Sequence, residues 1–78
     1  MSSLSVRFVG PIRRPGPQRV MEVDRAGLAS VGDLLARLGY SGEERKGLHV
    51  IADGSRRSHE DPLDGVTSVE ILVAIGGG

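Results

Sequence analysis

The 78-residue chain has no cysteine and no tryptophan, with a single phenylalanine and a single tyrosine. Without cysteine, neither a disulfide nor a thiolate metal site can staple so short a domain. The two histidines, His49 and His59, show no ligand-like spacing, so no metal site and no bound cofactor are expected. So few aromatics leave no stacking platform for single-stranded nucleic acid. Ten basic residues balance ten acidic ones, which argues against a basic stripe for a duplex. No apolar run reaches the length of a membrane span. Met1-Ser2-Ser3-Leu4 lacks the charged and apolar regions of a secretory leader. The expectation is a cytoplasmic protein with no nucleic-acid and no membrane partner. No nucleophile–base pair is legible, so an autonomous enzyme is not expected.

What the chain does have is an ordinary apolar core, 38% of the residues, and clear periodicity. Leu4, Val6 and Phe8 alternate with polar positions, which predicts a half-buried strand over 4–9. Gly10-Pro11 ends it, and Pro15-Gly16-Pro17 marks 12–18 as a loop. A second strand is expected over 19–23, closed by Asp24. Ser30, with Asp33 three residues on, opens a helix as a capping box. Val31, Leu34, Leu35 and Leu38 form its apolar stripe, and Gly39 is placed to stop it. Residues 41–46 are turn-like, with room for one short helical turn. Leu48–Ala52 reads as a third strand, followed by the tight-turn pair Asp53-Gly54. A short edge strand is expected within 56–60, broken by Asp61-Pro62. Val69, Ile71, Val73 and Ile75 share one face of a last strand, suited to the sheet centre beneath the helix. The order is that of an α+β domain: one main helix across a mixed four- to five-stranded sheet, with the first and last strands paired in the middle.

The last strand runs directly into Gly76-Gly77-Gly78. Three residues without side chains make a slim segment that fits a pocket too narrow for a Cβ. Residues 1–75 are therefore taken as the folded domain and 76–78 as a flexible glycine tail whose terminal carboxylate is the working group.

The element order, the helix opening Ser30-Val31-Gly32-Asp33-Leu34-Leu35 and the closing diglycine together resemble the ubiquitin-like β-grasp sulfur carriers. Those are the small proteins of molybdopterin and thiamine biosynthesis and the related tRNA-thiolation modifier. Phe8-Val9-Gly10-Pro11-Ile12-Arg13-Arg14 is similar to the F-x-G-P-L-R-E opening of the molybdopterin synthase small subunit, which favours that branch. One stretch departs from the family. The usual L-x-D-G-D-x-V approach to the last strand appears as Leu63-Asp64-Gly65-Val66-Thr67-Ser68-Val69, with the glycine moved and Thr67 in place of an aspartate.

The resemblance implies a carrier protein rather than an enzyme. Its Gly78 carboxylate would be adenylated by an E1-like adenylating enzyme that brings its own ATP and magnesium. It would then be converted to a thiocarboxylate and handed to a sulfur-acceptor enzyme such as a synthase large subunit. Ile75, Gly76 and Gly77 would thread the partner's tunnel. Leu72, on the sheet face away from the helix, and Ile51 on the neighbouring strand would dock, although single exposed apolar residues are ordinary on any surface. Arg13 would meet an acidic partner surface, although a solvated loop charge explains it as well. A carrier for thiamine or another sulfur-transfer pathway, or a modifier joined to lysines, would share this architecture. Arg56 and Arg57 read as plain solvation, His49 as structural, and Asp61 and Asp64 as turn residues.

Overall fold

The computed structural model describes residues 3–73. Ile75, Gly76, Gly77 and Gly78 lie outside them. Five strands and two helices follow in the order β1 (Ser3–Val9), β2 (Val20–Asp24), α1 (Val31–Arg37), α2 (Gly42–Lys46), β3 (Leu48–Ala52), β4 (Ser55–Arg57) and β5 (Ser68–Val73). The strands form one mixed sheet in the order β2-β1-β5-β3-β4. As anticipated, β1 and β5 are the central pair. They run parallel, with Val6 opposite Val69 and Val9 opposite Leu72. The other three pairings are antiparallel.

Alternation sorts each strand into two faces. On the helix side, Leu4, Val6, Phe8, Val50, Ala52, Val69 and Ile71 are all 0–1% exposed, beneath Val31, Leu34 and Leu35 of α1 at 0%. Each of these side chains larger than Ala52 contributes about 1.5–3 kcal/mol through its removal from water. Met21 and Val73 pack at the margin of this core.

Helix α1 starts where the Ser30-Asp33 pair predicts. Ser30 Oγ accepts from Asp33 N at 3.3 Å, and the Asp33 carboxylate accepts from Ser30 N at 3.2 Å. The other early amides are also taken: Val31 N donates to the Asp61 carbonyl at 3.0 Å and Gly32 N to the His59 carbonyl at 2.8 Å. The helix N-terminus therefore presents no free donors to a ligand. At its other end Gly39 sits at φ 91°, a conformation that favours glycine.

The structure moves several strand boundaries: β1 starts at Ser3 rather than Leu4 and β5 at Ser68 rather than Val69. Strand β2 starts at Val20 rather than Arg19 and includes Asp24. Strand β4 covers Ser55–Arg57 rather than part of 56–60. Asp53 and Gly54 both have positive φ (48° and 85°), the geometry of a two-residue hairpin turn. Pairing therefore resumes at once, with Ala52 opposite Ser55. The segment after β4 turns instead of extending, with Ser58 N donating to the Asp61 carboxylate at 2.9 Å. The turn-like stretch after Tyr40 holds a second capping box, Ser41 with Glu44, and becomes α2.

The altered approach to β5 keeps its turn, with Gly65 at φ 74°. Thr67 does not bond its own turn. Its hydroxyl donates to the Asp53 carboxylate at 2.9 Å, joined by Ser68 N at 3.0 Å. These bonds, first from the Ser68 amide and then from Thr67, hold the Asp53 carboxyl below its usual range. The β3–β4 hairpin is thereby stitched to the start of β5.

Candidate functional site: the open sheet face and its rim

The face away from the helices consists of the residues that alternation leaves over. Strand registers fix their rows. The first row, at the rim, is Val9–Leu72–His49. The second is Val20–Arg7–Glu70–Ile51–Arg56, and the third is Glu22–Ser5–Ser68. Val9 and Val20 are 39% and 46% exposed, while Leu72 and Ile51 are half-buried. Two shallow hollows mark this face. One is bordered by Ser5, Arg7, Val20, Ile51 and Glu70, the other by His49, Ile51, Arg56 and Leu72. Arg7 reaches Glu70 at 3.7 Å, with both side chains well exposed. Such a pair contributes little to stability. Arg56 Nη2 donates to His49 Nδ1 at 2.8 Å.

Leu72 and Ile51, the two docking residues read from the sequence, thus stand together on this face. Arg13 does not join them; it lies on the helix side. Its Nε and Nη2 grip the two Glu44 carboxylate oxygens at 2.8 and 2.9 Å, and Nη2 also donates to the Gly39 carbonyl at 2.9 Å. The guanidinium lies 5.1 Å from the centre of the Tyr40 ring, within cation–π reach. Tyr40 Oη donates to the Arg13 carbonyl. The hydrogen bond from Arg13, then that from the Ser41 amide, pulls the Glu44 carboxyl down to about 2, and the same Glu44 bond raises Arg13. Burial raises the Tyr40 hydroxyl. Arg13 is therefore a clamp tying the loop after β1 to α2. Its neighbour Arg14 makes no ion pair or hydrogen bond among the described residues.

Val9 and Val20 were missed from the sequence. Val9 ends β1 on the parity opposite to Leu4, Val6 and Phe8, so the signal existed. Val20 carried none, because its exposure depends on which side of β2 faces the helix. Among the described residues, no three His, Cys, Asp or Glu come together as a metal cluster, and no helix is long and apolar enough to cross a membrane.

No protein-family model matches the chain, and a search of curated proteins found no match. Among solved structures the chain is similar to SAMP1 from Haloferax volcanii, with a TM-score of 0.69 at 16% sequence identity, over 99% of this chain and 100% of that one. At this identity the likeness speaks for the fold, which is the ubiquitin-like β-grasp.

Proposed function

We propose that the protein is a sulfur carrier whose Gly78 carboxylate, once activated by a partner enzyme, becomes a thiocarboxylate. The observation that carries the reading is the parallel pairing of β1 with β5. Parallel neighbours end at the same rim. The chain thus passes Val73 beside Val9 and Leu72, at the head of the apolar open face. A partner seated on that face would find the glycine tail within reach.

The chemistry needs little from the carrier beyond position. A carboxylate oxygen attacks the α-phosphorus of ATP and pyrophosphate leaves. A sulfide-level donor then attacks the acyl carbon and AMP leaves, so that one oxygen is exchanged for sulfur. ATP, magnesium and the anion-stabilising donors belong to the adenylating enzyme. The carrier supplies a narrow tail that holds the reacting carbon at the nucleotide, which makes the encounter nearly unimolecular. Docking through Leu72, Ile51, Val9 and Val20 is modest in area, as suits a protein that must leave one partner for the next. The G-P-I-R-R opening favours molybdopterin biosynthesis as the pathway, with a synthase large subunit as acceptor.

The test is intact mass. The chain is incubated with the adenylating enzyme of its own source, ATP, magnesium and a sulfide donor. Exchange at the terminus adds about 16 Da. An unchanged mass, together with full activity of a chain lacking Gly77 and Gly78, overturns the reading. Conjugates of higher mass would assign the same activated carboxyl to a protein modifier instead.

A further inference from the structure

A second concavity of about 520 Å³ wraps the β4 edge of the sheet, bordered by Lys46, His49, Arg56, Arg57, His59 and Asp61. Three permanent cations and two imidazoles face one carboxylate there, in a chain of zero formal net charge. Topology produces the cluster. Strand β4 is three residues long, so Leu48 and His49 of β3 run on past its end. Register sends Arg56 to the open face beside Ile51 and Arg57 to the helix face beside Val50. Lys46 arrives from the end of α2.

The wall of this hollow is fixed in place. His59 Nε2 donates to the Leu48 carbonyl at 3.0 Å. The His59 and Asp61 carbonyls accept from the first turn of α1. The Asp61 carboxylate is occupied by its own turn, at Ser58 N. Glu43 meets the Lys46 ammonium at 2.8 Å, but both side chains are more than three-quarters exposed, so the pair offers weak competition. Arg57 is half-buried, and its guanidinium makes no hydrogen bond or ion pair among the described residues.

We propose that this hollow docks an acidic, extended segment of a partner protein. The cations come around a sheet edge from both faces rather than converging on a point, which matches a row of carboxylates better than a single phosphate. No phenylalanine, tyrosine or tryptophan borders it, so the large stacking platforms used for single-stranded nucleic acid are missing. Leu48, at its border, pairs with Val73. The hollow is thus one strand away from where the chain leaves for its tail, and a partner could hold both. Charge complementarity of this kind speeds encounter and fixes orientation.

The experiment is an amide-resolved NMR titration of the 15N-labelled full chain with a hexaglutamate peptide at low ionic strength. Saturable shifts are expected at Lys46, His49, Arg56, Arg57 and His59. Arg57→Gln and Lys46→Gln should each weaken binding roughly three- to tenfold, and added salt should weaken it further. Arg19→Gln should leave it within about twofold, as a remote charge does. Shifts spread equally over Arg14, Arg19 and Arg45 would overturn the site. So would an unchanged affinity in the Arg57→Gln/Lys46→Gln double variant, or inorganic phosphate alone saturating the same amides as tightly. Should Arg57→Gln lose its amide dispersion, Lys46→Gln at its exposed position carries the test. The titration does not involve Gly76–Gly78, so its failure leaves the sulfur-carrier proposal standing, and an unchanged mass in that assay leaves this site standing.

Discussion

The two faces of the sheet are built from alternate residues of the same strands, yet one is sealed and the other is open. Ile71 and Leu72 are adjacent on β5; Ile71 is fully buried, while Leu72 is only half-covered. The helix face shows no buried side-chain nitrogen or oxygen left unpaired among the described residues, and its job is stability. The open face mixes Val9, Val20, Ile51 and Leu72 with an exposed ion pair and an Arg–His contact. The difference teaches that the same strands commit one set of side chains to the core and leave the alternate set at the surface.

The strongest way to break that comparison is at the centre of the sealed face. Phe8→Ala should destabilise the chain by about 3–5 kcal/mol, a large part of the total for a domain of this size. Urea melts should show a domain at or beyond its limit. The neighbouring pair on β5 sharpens the contrast. Ile71→Ala should remove about 2–5 kcal/mol, whereas Leu72→Ala should remove less than about 1 kcal/mol and weaken binding to the adenylating enzyme. Equal losses of stability would mean that the two faces do the same work. At the start of α1, Ser30→Ala should lower stability by about 1 kcal/mol through loss of the cap, read as a shift in urea midpoint without a change in slope.

The smallest effect belongs to the exposed clamp. The Glu44 carboxyl lies at about 2 against an ordinary 4.5. A group lowered on folding adds stability that is complete above its unfolded value and lost as pH falls through its folded one. The Arg13–Glu44 contribution should therefore disappear between about pH 4.5 and 2. Glu44→Gln should flatten this part of the acid-unfolding curve. Asp53, lowered by the amides and hydroxyls it accepts from, supplies acid sensitivity of the same sign and should remain.

Much of the fold was legible because it rests on local chemistry. The capping box at Ser30, the stripe of α1, the stop at Gly39 and the turn at Asp53-Gly54 depend on residues a few positions apart. The buried residues of irregular segments were not legible. Ile12, Tyr40, Leu63 and Val66 all belong to the core, but they sit in loops where no period marks them. Of the candidate site, Leu72 and Ile51 could be given a face by counting alternate positions from Ile71 and Val50. The role of Arg13 could not, because its partners Gly39, Tyr40 and Glu44 are some thirty residues away along the chain.

Sequence alone determined which residues alternate inward, where α1 begins and ends, and that three glycines follow Ile75. Those properties follow from backbone sterics and side-chain spacing, which act within a turn or a strand. Only the tertiary structure decided that the expected β1–β5 pair runs parallel in this register, that Arg57 and Lys46 border one hollow at a sheet edge, and that Thr67 answers to Asp53. These are pairings between distant segments, selected by burial of a shared core, and no local rule encodes them.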